Sequence, residues 1–349
     1  TVWDVATGRV LGPTRPGHEA FITQAAFTPD GTLVTASDDH TVRTWDAAGK
    51  PGRVMTAGAW VRGMDVSPDG TLVAGSSLRN ELRVWEVATG RERFKLLGHG
   101  DTGGARVVRF TPDGRRLVSW GDRDETVRTW DTRTGRLLAE HTTRPADVKH
   151  DPDDPFGEHR RLLGSTHPDV SPDGAALAIN TGKAVRLIDT TTGETTRTLD
   201  TAGTGWTERV AYSPDGKRLA VAVRLPSTET RLPDGRLRSS GSKDFGLSLW
   251  DVGSGKRLWT ASAPGWVPAA IAFTPDGTKL ATTGVDDPPT AVHFWDSATG
   301  AAAGRVSIPL RGGALAFDRA GRRLAVGLHD TTAVVFDLAT ALTPPGGQP

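Results

Sequence analysis

The stretch FTPDGTLVTASDDHTVRTWD, Phe27 to Asp46, joins a Pro-Asp-Gly turn to two β-branched runs and closes on Trp-Asp. It recurs as DVSPDGTLVAGSSLRNELRVWE from Asp65, RFTPDGRRLVSWGDRDETVRTWD from Arg109 and AFTPDGTKLATTGVDDPPTAVHFWD from Ala272. Trp-Asp, or a degenerate form of it, ends a β-like run at Trp3, Trp45, Trp85, Trp130, Ile188, Trp250, Trp295 and Phe336, with gaps of 42, 40, 45, 58, 62, 45 and 41 residues. Between them lie seven turn elements, opening at Thr28, Ser67, Thr111, Ser171, Ser213, Thr274 and, as DRAG, Asp318. A period near 40 residues carrying four short strands is the mark of a repeat architecture.

The chemistry of each unit fits that period. Proline presets φ at the second turn position, Asp bonds to nearby backbone, and Gly takes the positive φ that ends a tight hairpin. The flanking strings, such as TLVTAS and KLATTG, have the β-branched content of buried strands. Helical periodicity is absent, and an ordinary β-sandwich would not need the fixed spacing.

Composition narrows the function classes. The chain has 349 residues with 42 basic against 41 acidic side chains, so no global field steers it to nucleic acid or anionic lipid. No apolar run approaches the roughly 20 residues a membrane span needs, and the first residues are not a signal peptide. The absence of cysteine excludes disulfides, thiolate metal sites and a cysteine nucleophile. The excess of Arg over Lys points to a GC-rich bacterial genome, and Thr1 in place of Met points to a segment of a longer chain.

On these turns, Trp-Asp pairs and spacings the chain resembles the WD40-repeat β-propellers over essentially its whole length, in an actinobacterial-type version. The resemblance implies an all-β fold: a seven-bladed propeller of four-stranded antiparallel blades, closed by an N-terminal outer strand. The blades are expected at about 18–57, 58–97, 98–141, 165–199, 205–261, 265–308 and 311–338, the closing strand at 8–13, a long inter-blade loop at 142–164 and a disordered tail at 341–349. Residues 1–7 are then one strand too many: a relic at the rim, or, as preferred, the end of a repeat preceding Thr1. Closure removes open sheet edges that would invite aggregation.

The resemblance also implies a hydrogen-bonded tetrad of His, Ser or Thr, Asp and Trp in each blade, in which buried polar groups saturate one another. Blade 1 offers His18, Thr35 or Ser37, Asp39 and Trp45. Blade 3 offers His99, Ser119, Asp124 and Trp130, and blade 5 Ser240, Asp244 and Trp250 without a histidine.

Function is expected on the face where the inter-blade and b–c loops emerge, since loops on a rigid scaffold carry binding. Two of three unusual segments fall there: 142–166, and 224–244, whose own LPDGRL promises a small hairpin. Aromatic residues open several innermost strands: Phe21, Trp60, Trp206 and Trp266, with Arg311 in the equivalent place of blade 7. They are anchors for a partner or fill space left by missing histidines. Asp38, Arg123, Lys243 and His329 complete the candidate partner-binding set.

Other chemistries lack their signatures. The acidic and histidine residues between His141 and His159 have no metal-ligand spacing and fail the EF-hand pattern, so no metal is expected. SKDFGLSLW, from Ser242, resembles a sialidase Asp-box but places its Trp one residue late. There is no nucleophile elbow, no phosphate loop and no catalytic carboxylate pair. The expectation is a non-catalytic scaffold without cofactors, binding a protein or peptide partner and no nucleic acid or membrane. It would be monomeric as a domain and cytoplasmic, the docking or sensing part of a larger bacterial signalling protein. The alternative is a small-ligand or hydrolase-type propeller with its site at the channel mouth.

Overall fold

Each Pro-Asp-Gly tetrapeptide turns the chain in the same way. In blade 1 Gly31 N–H donates to Thr28 O at 2.9 Å, with Gly31 at φ +87°, and Asp30 Oδ1 accepts from Thr32 N–H at 3.1 Å. Blades 2 to 6 repeat this turn, and in blade 7 Asp318 replaces the hydroxyl residue, its carboxylate accepting from the Arg322 and Arg323 amides. The Asp of Trp-Asp does a second turn's work. Asp131 Oδ1 accepts from the Arg133 and Thr134 amides and the Thr134 hydroxyl, closing the hairpin into the outer strand.

In this computed structural model, residues 3–4, 9–10, 17–77, 81–99, 104–121, 123–143, 167–181, 184–201, 206–224, 228–231, 237–240, 245–263, 268–284 and 290–342 are described. Their strands form seven blades and one separate two-stranded hairpin. Strands a to d of a blade run from the channel outward, as in blade 1: Ile22–Phe27, Leu33–Ser37, Thr41–Trp45 and Pro51–Thr56. The other innermost strands are Val61–Val66, Val107–Phe110, Asp169–Val170, Trp206–Tyr212, Pro268–Phe273 and Gly312–Phe317.

No blade buries itself alone. The apolar clusters lie between neighbours: Trp85 with Val34 and Val42 joins blades 2 and 1, and Trp130 with Leu82 and Leu96 joins blades 3 and 2. The ring closes through Ile22, Leu33 and Trp45 of blade 1 against Ala314, Ala316, Ala325 and Ala333 of blade 7. On the underside Arg323 Nη2 donates to Gly31 O at 3.3 Å across the same seam.

The latch differs from the sequence expectation. The 8–13 segment was to dock directly on the last blade as its outer strand. Instead Trp3–Asp4 pairs in parallel with Ala333–Asp337, and Arg9–Val10 lies beyond it as a fifth strand, antiparallel to Trp3–Asp4. The reason is local: the Trp-Asp strand and its successor stay paired as in every other repeat, so the two add together. After Asp337 the chain makes one helical turn, α1 (Leu338–Ala341), capped by Asp337. Leu338, Ala341 and Leu342 pack on the core of blades 6 and 7, so the expected tail boundary at 341 falls inside packed structure. Of the inter-blade segment, residues 144–166 lie outside the described residues. In the b–c connection of blade 5, Thr228–Arg231 and Leu237–Ser240 pair as the hairpin that LPDGRL promised.

Candidate functional site

Two full hydrogen-bonded tetrads stand among the described residues. In blade 1 the Trp45 indole N–H donates to Thr35 Oγ1 at 2.8 Å, and Thr35 Oγ1 meets His18 Nε2 at 2.8 Å. His18 Nδ1 reaches Asp39 Oδ2 at 2.8 Å. Only one proton arrangement satisfies the chain: Nδ1–H donates to the carboxylate and Nε2 accepts the hydroxyl proton. Burial disfavours the Asp39 charge, but hydrogen bonds from His18 and Thr41 outweigh it and hold the carboxyl below its usual range. Ser37 is not part of the tetrad; its hydroxyl donates to Ala20 O at 3.0 Å and accepts from Asp39 N–H.

Blade 3 repeats the arrangement with Trp130, Ser119, His99 and Asp124 at 2.9, 2.8 and 3.0 Å. Arg128 adds a charge-assisted bond to Asp124 at 2.6 Å. Burial again opposes the Asp124 charge and is outweighed, here by His99, Arg128 and Thr126, while burial lowers the pKa of His99.

Blade 5 corrects the sequence reading. Ser240 sits on the inserted hairpin, paired with Thr228, and not on strand b. The Trp250 indole donates instead to Ser248, at 2.9 Å. Ser248 lies directly across the sheet from Val221, which holds the register of Thr35, so the hydroxyl has moved from strand b to strand c. Blade 6 has a bond the sequence reading missed, Trp295 to Thr282 Oγ1 at 2.8 Å. The signal was a Thr at the b-strand register. Where the c-strand residue is not Trp, the register holds an apolar partner: Ile179 with Ile188, and Val326 with Phe336. In blades 1, 3, 5 and 6 the indole thus has a hydroxyl to bond, as a buried donor requires, whereas in blade 2 the register holds Gly75, packed against the Trp85 ring.

The mouth of the ring is a different kind of place. Phe21 and Trp60 each precede the innermost strand of their blade and are 52% and 48% exposed. Trp60 is thus no filler for a missing histidine. Its ring lies under the Arg62 guanidinium, 5.3 Å from the ring centroid. Phe21 packs on His329 of blade 7, ring centroids 4.9 Å apart. Asp38, between them, faces Arg62 Nη2 at 3.5 Å, and burial raises its pKa while Arg62 opposes the shift. Arg311 is exposed beside His329, whose N–H donates to Arg311 O.

Arg123 is exposed on the b–c loop of blade 3, away from this cluster in sequence and blade. Trp206 begins the innermost strand of blade 5, paired with Arg224. Lys243, Asp244 and Trp266 lie outside the described residues.

Below the mouth is a central cavity of about 830 Å³, lined by all seven innermost strands. Two residues before the turn, blades 2, 3 and 4 carry Asp65, Arg109 and Asp169, where the other blades carry alanine. Arg109 reaches Asp169 at 2.5 Å and Asp65 at 3.8 Å. Each carboxylate also accepts the backbone N–H of the next blade, Asp65 from Phe110 at 2.7 Å and Asp169 from Tyr212 at 2.9 Å. Asp169 raises the pKa of Arg109 against the effect of burial, so this wall stitches blades 2 to 5 together at their inner edge. No group of three or more His, Cys, Asp or Glu among the described residues is arranged to hold a metal ion.

The model for the WD domain, G-beta repeat, matches residues 10–46, 49–86 and 90–131, each match ending on a Trp-Asp or Trp-Glu of the ring just described. The chain is a WD40-repeat β-propeller. This WD40 propeller is 26% identical over 277 residues to Protein tipD of Dictyostelium discoideum, covering 69% of this chain and 41% of that protein. It is 33% identical over 141 residues to WD repeat-containing protein SL1-17 of Schistosoma mansoni, covering 39% and 45% of the two. It is 28% identical over 149 residues to Protein groucho of Drosophila melanogaster, covering 40% and 20%. The WD40 propeller thus spans less than half the length of each of these relatives. Among its described residues no helix is long and apolar enough to cross a membrane.

Proposed function

We propose that this propeller is a non-catalytic docking domain that binds a protein or peptide partner at the mouth of its ring. It would serve as the docking or sensing arm of a larger bacterial signalling protein. The observation that carries the reading is the pair of exposed aromatics, Phe21 and Trp60, flanking the Asp38–Arg62 pair on a rigid scaffold. Soluble domains expose such side chains together where they bind, and aromatic and Arg residues dominate interface energetics. The similarity to WD-repeat proteins supports a protein-interaction scaffold in general.

The carboxylates that converge on the cavity support mouth binding over a ligand site within it. Asp65 and Asp169 are already engaged with backbone amides and Arg109.

The test is affinity purification with this chain as bait, compared with a Phe21→Ala, Trp60→Ala variant. The variant keeps its circular dichroism and melting temperature and loses the captured partner. Undiminished capture by a folded variant refutes the reading.

A further inference from the structure

We infer that the partner presents an acidic residue to the sector of the mouth formed by blades 7, 1 and 2, with its carboxylate gripped by Arg62. This deepens the mouth-binding reading and rests on it.

The Arg62 guanidinium is held in place but half used. Trp60 supports one face at 5.3 Å. Its contact with Asp38 is 3.5 Å, longer than the 2.7–2.9 Å of a good charge-assisted bond. Arg62 Nε is buried with no hydrogen-bond partner, and so is Asp38 Oδ1. A guanidinium meets a carboxylate best with two parallel N–H···O bonds, and Nε with Nη2 is one edge that makes them. Asp38, approaching Nη2 alone, leaves that edge incomplete. A carboxylate that displaces Asp38 from that edge completes it and satisfies the orphaned Nε.

Charge around the edge selects the same sign. Arg106 in blade 3 stands at the register of Arg62, five residues before the turn, and Arg311 at the register of Phe21 and Trp60. Against Arg62 and Arg311, with Arg106 beside them in blade 3, the sector sets Asp38 and the exposed Glu19 ahead of Phe21, while Asp330 at the tip of the blade 7 loop is occupied by the Thr332 amide and hydroxyl. Phe21 and Trp60, on either side, offer apolar surface to the residues flanking the acid. The fitting occupant is an acidic peptide segment with an apolar neighbour, and Asp38 is an internal placeholder for it.

The experiment pans the whole chain against a phage-displayed random peptide library. The Phe21→Ala, Trp60→Ala variant is panned in parallel, and enriched peptides are measured one by one by fluorescence anisotropy. Enrichment of Asp- or Glu-containing peptides is expected, with Glu→Gln in the peptide and Arg62→Gln in the protein each weakening binding by about tenfold or more. Arg62→Lys restores part of the loss, since a point charge cannot fork, and Asp38→Asn strengthens binding by removing the competing carboxylate. Unchanged melting temperatures separate these effects from misfolding. Enrichment of Lys- or Arg-rich peptides, weaker binding by Asp38→Asn, or no enrichment at all overturns the acidic partner. Peptides that bind the Phe21→Ala, Trp60→Ala variant equally well overturn the mouth as the site, a separate failure.

Discussion

At the scale of single residues, the tetrads show how much one hydroxyl can hold. Thr35 Oγ1 serves the Trp45 indole and the His18 imidazole at once, both at 2.8 Å and buried. Thr35→Val keeps the shape and strands two polar groups, so it should destabilise by about 2–6 kcal/mol, at about 1–3 kcal/mol per orphaned group, read from the urea midpoint. The same change run backwards in blade 7, Val326→Thr, gains nothing, because Phe336 has no N–H to offer. The histidines, Asp39, Asp124 and the tryptophans of blades 1 and 3 were legible because the repeat fixes their spacing. Ser248 was not: a hydroxyl that crosses from strand b to strand c keeps its place in space and loses its place in the sequence pattern. Phe21 and Trp60 were legible as aromatics at strand starts. Their exposure, and the half-made pair of Asp38 with Arg62, depend on neighbouring blades.

Turns and strands carry the next level. The turn after Trp-Asp in one blade is a socket for the outer strand of the blade before it. At Gly300, with φ +74°, a Cβ would lie 2.7 Å from the Trp259 ring, whose indole N–H donates to Ser297 O at 3.0 Å. Gly300→Ala therefore meets both a left-handed backbone and a partly buried aromatic. It should cost about 1–3 kcal/mol, seen as a lowered melting temperature, while Trp259→Ala with Gly300→Ala should cost less than the sum of the two single changes. Most of these turns were readable from Pro-Asp-Gly, or Asp-Arg-Ala-Gly in blade 7, and from Trp-Asp or its degenerate form followed by Thr-Gly or Ala-Gly, since turn chemistry is local. The order of strands at the latch was not, because the parallel contact of Asp4 with Val335 joins the two ends of the chain.

The whole molecule inherits a pH dependence from its tetrads. Burial lowers the folded pKa of His99 from its ordinary 6.5, so the unfolded chain binds more protons below that pH. Stability that is complete above about pH 6.5 should fall as pH drops, and a His99→Gln variant should show a shallower decline. Asp39 and Asp124 are held below their ordinary 3.8, so a second loss follows as pH falls under about 4. Melting temperature measured across this range checks both steps, and a protein most stable at pH 5 contradicts them.

The central claim is that seven blades bury one another in a ring whose last member closes on its first. The chain contains no cysteine, so Phe21→Cys with His329→Cys introduces the only two thiols, at positions from blades 1 and 7 whose side chains touch. Treatment of the monomer with a short bismaleimide, followed by peptide mass spectrometry, reads the seam directly. The account predicts an intramolecular cross-link joining these two distant segments. Two singly modified cysteines with no bridge in the folded monomer would contradict it.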